Sequence, residues 1–207
     1  MVLSVKEIEN NSRYRLILYL PYNEIVPFVL TYIKKRTLPL FIASILLSIS
    51  LISICLFRLE IAGDYRWIDI FRHSIIGFII IPLLLIVPHE LLHVIPYYFS
   101  GARDIRIGAK WRDAYFYVTA NRHPVNRFWF IIIALTPTIA ITALLVLLLP
   151  LVPPLWQWSL LCTIFSHYTM CAGDFALINF YFINRRLKII TWDDAKSDTA
   201  YFYEEKE

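Results

Sequence analysis

Four apolar stretches, about residues 38–57, 70–99, 128–149 and 155–183, approach or exceed the roughly 20 residues an α-helix needs to cross the hydrocarbon core of a bilayer. Backbone in lipid must satisfy its own hydrogen bonds, so isolated runs of this length fold as helices. With 58% hydrophobic and 17% charged residues, an ordinary soluble domain is excluded. The expected fold class is an all-α multi-pass membrane protein of about four transmembrane helices with a small cytoplasmic β-element. The second and fourth stretches exceed a straight crossing, which predicts tilt or bending, and Pro82, Pro88 and Pro96 favour a kink in the second.

Lysine and arginine set the orientation. Six precede the first stretch, six lie in the 100–127 loop and five in the tail, against three in residues 58–72 and none in 150–157. The positive-inside rule places both termini and the 100–127 loop in the cytoplasm, and the protein in the cell membrane. The same distribution accounts for the net charge of +4. Basic residues that flank spans do not form a base-reading module, so nucleic acid is not an expected partner and the lipid bilayer is. Cys55, Cys162 and Cys171 all lie in apolar runs and read as packing residues, not disulfide partners. The first 36 residues are too polar for a cleavable signal peptide.

The expected division is residues 1–36 as a cytoplasmic strand and interfacial helix, 37–185 as the transmembrane domain, and 186–207 as a cytoplasmic tail. Strand formers concentrate at Tyr14 to Leu20, Arg106 to Thr119, Leu187 to Thr191 and Thr199 to Tyr203. Asp193 to Asp198 between the last two is turn-prone, and Tyr22 to Arg36 reads as an interfacial helix.

Residues His89-Glu90-Leu91-Leu92-His93, inside the second stretch, form an HExxH motif. Four positions apart on a helix, both imidazoles project from one face and can bind the same Zn²⁺, with Glu90 beside them as a candidate base. Such groups are costly within a membrane unless they pair or ligate; a metal-free polar cluster bonding neighbouring helices is the alternative. A catalytic zinc takes three protein ligands and keeps a fourth position open. An HExxHxxGxxH site is excluded, since Pro96 and Phe99 stand where it needs Gly and His.

Asp104, Asp113, His123, His167 and Asp174 remain as third ligands. The first three lie in the basic loop, where solvated charge and turn duty are the usual roles. With the second span ending near Phe99 and the fourth near Ile183, His89 lies about 15 Å and Asp174 about 14 Å from the cytoplasmic end, while His167 lies about 10 Å further out. Depth favours Asp174. His167 stays open as the alternative and otherwise reads as a satisfied core histidine, like His73 at the opposite face. Gly173 permits close helix approach or local unwinding beside Asp174.

HELLH in one span, a β-rich loop, a middle span and Cys171-Ala172-Gly173-Asp174 in a later span resemble the site-2 protease group of intramembrane zinc metalloproteases. The likeness is greatest to its small zincin peptidase subfamily, in which a CAGD-like stretch follows the catalytic helix. It covers about residues 70–185. The resemblance implies a three-helix metalloprotease core, Zn²⁺ as cofactor, His89, His93 and Asp174 as metal ligands and Glu90 as catalytic base. The implied activity is a zinc metalloendopeptidase that hydrolyses membrane-embedded or membrane-tethered protein or peptide substrates.

Two other readings compete. A non-catalytic metal-binding or regulatory membrane protein would keep the fold without needing Glu90. A transporter would need more polar residues in the outer halves of the spans than His167, Thr136 and Thr138. For the enzyme, Arg103, Arg106, Arg122 and His123 would line a cytoplasmic water entrance. The 106–119 segment would offer a strand edge to an extended substrate or anchor at the interface, and Asn121 and Asn126 would orient a substrate carbonyl or make turns.

Overall fold

A computed structural model describes residues 4–110 and 115–206. The apolar stretches are helical: α3 (Leu38–Glu60), α4 (Trp67–Ile75) running through a π-turn (Ile76–Ile80) into α5 (Ile81–Phe99), α6 (Arg127–Leu148), α7 (Pro154–Met170) and α8 (Ala172–Ile183). The helical stretches Leu38–Glu60, Trp67–Phe99 and Arg127–Leu151 are long and apolar enough to cross a membrane. The fourth apolar stretch is broken. It qualifies only as the pair α7 and α8, which bend by 44° at Cys171. Phe41, Leu84, Ile139 and Leu147 are exposed on the outer helix faces, an apolar surface suited to lipid.

The π-turn answers the proline that follows it. Pro82 has no N–H for the carbonyls four and five residues back, Phe78 and Gly77. Ile81 N–H reaches back to Ile76 O. Hydroxyls from α7 cover the carbonyls Pro82 leaves open: Thr163 Oγ1 lies 3.1 Å from Gly77 O, and Ser166 Oγ 3.3 Å from Phe78 O. Replacing lost backbone bonds from a neighbouring helix is how a spanning helix tolerates proline. The contact requires Gly77, where a Cβ would collide with Ser159 O and sit 2.7 Å from Cys162 Cβ.

A four-stranded antiparallel sheet in the order β1-β6-β5-β4 caps one end of the helices, formed by β1 (Tyr14–Pro21), β4 (Val125–Asn126), β5 (Lys188–Asp194) and β6 (Thr199–Glu205). Period-2 alternation gives it two apolar faces. On the inner face Leu20, Ile189, Ala200 and Phe202 join the main core with Phe28 of α2 (Ile25–Tyr32), Phe130 and Ile133 of α6, and Phe180 of α8. On the outer face Trp192, Tyr201 and Tyr203 pack with Val5 and Ile8 of a short helix, α1 (Val5–Glu9). A separate hairpin, β2 (Ile105–Lys110) with β3 (Tyr115–Ala120), lies against α5.

The strand expectations hold in place, with one correction. Asp193 and Asp194, read as turn, end strand β5 paired with Ala200 and Thr199, because Trp192 stacks on Tyr201 and Tyr203 and carries the ladder two residues further. The helix expected in Tyr22 to Arg36 is a 3₁₀ turn (Tyr22–Glu24) followed by α2.

Candidate metal centre

The four-residue spacing on α5 puts His89 and His93 on one face, 6% and 8% exposed. The start of α8 brings Asp174 to both of them: His89 Nε2 lies 3.3 Å from Oδ2 and His93 Nε2 lies 3.7 Å from Oδ1. Tetrahedral zinc with bonds near 2.0–2.1 Å separates its ligand atoms by about 3.3 Å; the donor types fit zinc, the His89–Asp174 separation matches that value, and the 3.7 Å His93–Asp174 separation is longer. Glu90 stands with the two histidines in a compact group of donor atoms, beside the backbone amide of Val118 in β3.

Each imidazole is also held at its other nitrogen. His93 Nδ1 lies 2.8 Å from the carbonyl of Ile133 in α6. A carbonyl only accepts, so Nδ1 carries the proton and the Nε2 lone pair faces Asp174. His89 Nδ1 lies 3.2 Å from Nε2 of His167, which is fully buried with Cys171 Sγ 3.8 Å from the same nitrogen. His89, His167 and Cys171 thus form a second compact donor group on the opposite side of the His89 ring.

The depth argument is half corrected here. Asp174 meets His89 and His93 as expected. His167 does not sit about 10 Å away: it touches His89 from the other side, because the bend at Cys171 turns α7 out of the line of α8. Nor does Gly173 serve close helix approach, since an added Cβ meets nothing within 4 Å. His73 is satisfied as expected, with Nδ1 2.8 Å from Ser159 Oγ.

The loop candidates lie elsewhere. Asp104 binds Arg106 at 3.0 Å and Asn121 at 2.6 Å, and these partners hold its carboxyl below the usual range. His123 pairs with Ser100 Oγ at 3.1 Å, and burial lowers its basicity. Asp113 is outside the described residues. Asn121 Oδ1 accepts from Ala195 N and Asn126 caps α6 by accepting from Trp129 N, so both asparagines serve the backbone. Of the expected entrance arginines, Arg106 pairs with Asp104, Arg103 packs over Tyr98, and Arg122 binds Glu9 and Asp194.

The His89, Glu90, His93 and Asp174 side chains face a cavity of about 390 Å³ that extends to the inner face of the sheet, where Thr191, Asp193 and Phe202 line it. Sequence reasoning missed this far wall. A family model described as "putative zincin peptidase" matches residues 82–186, just over half of the chain, with both histidines, Glu90 and Asp174 inside the match. The chain belongs to this zincin peptidase family. Membership implies metallopeptidase chemistry with zinc, in agreement with the donor set. No curated protein and no solved structure matches the chain. The family match begins at Pro82, so β1, the 3₁₀ turn after it and α2, which supply Leu20, Tyr22, Ile25 and Val29 to the cavity wall, lie outside it.

Proposed function

We propose that this zincin is an intramembrane zinc metalloprotease, hydrolysing peptide bonds of membrane-embedded or membrane-tethered protein substrates. The observation that carries the reading is the convergence of His89 Nε2, His93 Nε2 and the Asp174 carboxylate on the wall of a cavity that also receives Glu90. A purely structural zinc would be closed by its ligands and would need no carboxylate beside an open space. Zinc bound there would supply Lewis acidity, lowering the pKa of a coordinated water to about 7 and polarising the scissile carbonyl. Glu90 accepts the proton of the attacking water and returns it to the leaving amine. Ile133 O and His167 hold the two imidazoles in register, and an extended peptide added along β3 would pass Glu90 at Val118.

The sheet supports the membrane arrangement. Because β1, β4, β5 and β6 share one sheet, the chain between them must leave and return an even number of times. Helix α3 with α4–α5 would make one excursion and α6 with α7–α8 the other, with the bent pair as the fourth crossing. Seventeen of the twenty lysines and arginines fall in the sequence before the first span, between the second and third, and after the fourth, so by the positive-inside rule that side is cytoplasmic, both termini with it.

Purified wild-type protein should hold one zinc per chain. Glu90→Gln should keep the metal while hydrolysis of a membrane-tethered peptide falls by about two orders of magnitude or more. A folded sample without zinc, or full activity in Glu90→Gln, rejects the reading.

A further inference from the structure

The far wall of the cavity carries a carboxylate that the hydrolytic chemistry does not use. Strand alternation turns Ile189, Thr191 and Asp193 to the inner face of the sheet, while Asp194 points the other way and binds Arg122 at 2.8 Å. Among the described residues no lysine, arginine or histidine pairs with Asp193. Its neighbours are the hydroxyl groups of Tyr22 and Thr119, and its backbone carbonyl accepts from Arg122 N–H at 2.7 Å. The nearby cations are committed elsewhere: Arg122 to Asp194 and Glu9, Arg127 to the carbonyls of Asn184, Arg185 and Leu187. No cation neutralises the carboxylate, and burial pushes the Asp193 acid up to about 6.

Most of the cavity lining is apolar, Val29, Ile133, Leu177 and Phe202 among it. A largely apolar cavity that holds an uncompensated carboxylate complements a side chain with a hydrocarbon stem and a cationic tip. We propose that Asp193 is a specificity residue that receives a substrate lysine or arginine, so that the enzyme selects a basic residue beside the scissile bond. This rests on the protease reading for the bond broken, but not for the recognition itself. A solely structural Asp193 would be served equally well by an asparagine, which offers the same shape without the charge.

The test separates recognition from chemistry. Zinc-loaded Glu90→Gln protein is titrated with short peptides blocked at both ends, carrying lysine or the uncharged isostere norleucine at one scanned position. The same series is repeated with a free N-terminus and in Asp193→Asn and Asp193→Glu backgrounds. The expected result is that lysine at one position binds about thirtyfold or more tighter than norleucine, the range for a buried charge pair. Asp193→Asn should abolish the difference while leaving norleucine affinity within about twofold, and Asp193→Glu should retain it. Equal binding of lysine and norleucine, a preference that survives Asp193→Asn, no binding of any peptide, or a preference confined to free N-termini overturns the proposal. Hydrolysis by the wild type is read in parallel. Binding with lysine preference but no cleavage would preserve the recognition site and reject the protease.

Discussion

His89 is gripped at both nitrogens, by Asp174 through Nε2 and by His167 through Nδ1, and this makes its neighbours separable by experiment. Asp174→Ala removes the proposed third ligand and should abolish stoichiometric zinc. His167→Ala leaves the ligands but frees the His89 ring, and should weaken zinc about 10- to 100-fold, the usual cost of losing such an orienting partner. Competition with a chelator of known affinity measures both; the reverse order would move the metal to the His89, His167 and Cys171 group. Asp193 yields a pH prediction. Its folded-state acid is raised from 3.8 to about 6, so the native state holds that proton more tightly than the unfolded chain. The stability it contributes is therefore present at low pH and lost as pH rises through about 6, by up to about 3 kcal/mol. Thermal midpoints of wild type and Asp193→Asn should coincide near pH 4 and separate above pH 6, with the asparagine protein higher; equal midpoints at pH 7 would contradict the buried charge. The HExxH pair was legible because helical period alone sets its geometry. Asp174 was legible by depth. The His167 contact was not, since counting residues along a straight helix cannot include a bend at Cys171. Asp193 was hidden by its own composition, because Asp-Asp before Ala-Lys-Ser reads as a turn until Trp192 and its stacked tyrosines extend the strand.

Among the elements, the joint between the π-turn and α7 is the most exacting. Gly77 admits the α7 backbone, and Thr163 and Ser166 attend to carbonyls that Pro82 leaves open. Gly77→Ala should destabilise the protein by about 1–3 kcal/mol through overpacking, read as a lowered thermal midpoint in detergent. Gly173→Ala, in the open, should leave the midpoint unchanged. If both behave alike, the two helices are not in the contact described. The prolines announced an irregularity in the second apolar stretch, but its form depended on hydroxyls 86 and 88 residues away in sequence. Helix α1 carried a readable signal that passed unused: Ser4 and Glu7 form a capping box, with Ser4 N–H donating to Glu7 Oε2 at 2.6 Å and Glu7 N–H to Ser4 Oγ at 3.3 Å, just before Ile8.

At the scale of the whole molecule, the charge count and the sheet make one claim by independent routes. Single-cysteine labelling in intact cells should find residues near Ser12 and Lys206 on the same, cytoplasmic side and residues 61–66 on the other; termini on opposite sides would make the β1–β6 ladder impossible. The apolar runs made legible the three helices long and apolar enough to cross a membrane. The sheet that joins the ends could not be read, because strand partners so far apart leave no local trace in either segment. That ladder also sets a clock. Arg15 meets Glu204 across 189 residues, so the cavity's sheet wall cannot close until β6 has left the ribosome. Helices α5 and α8, which carry His89, His93 and Asp174, can already have formed by then, while β5 under Asp193 still lacks its β6 partner. A growing chain would bring the candidate metal donors together before the wall that carries Asp193, and only one extended through β6 would have both.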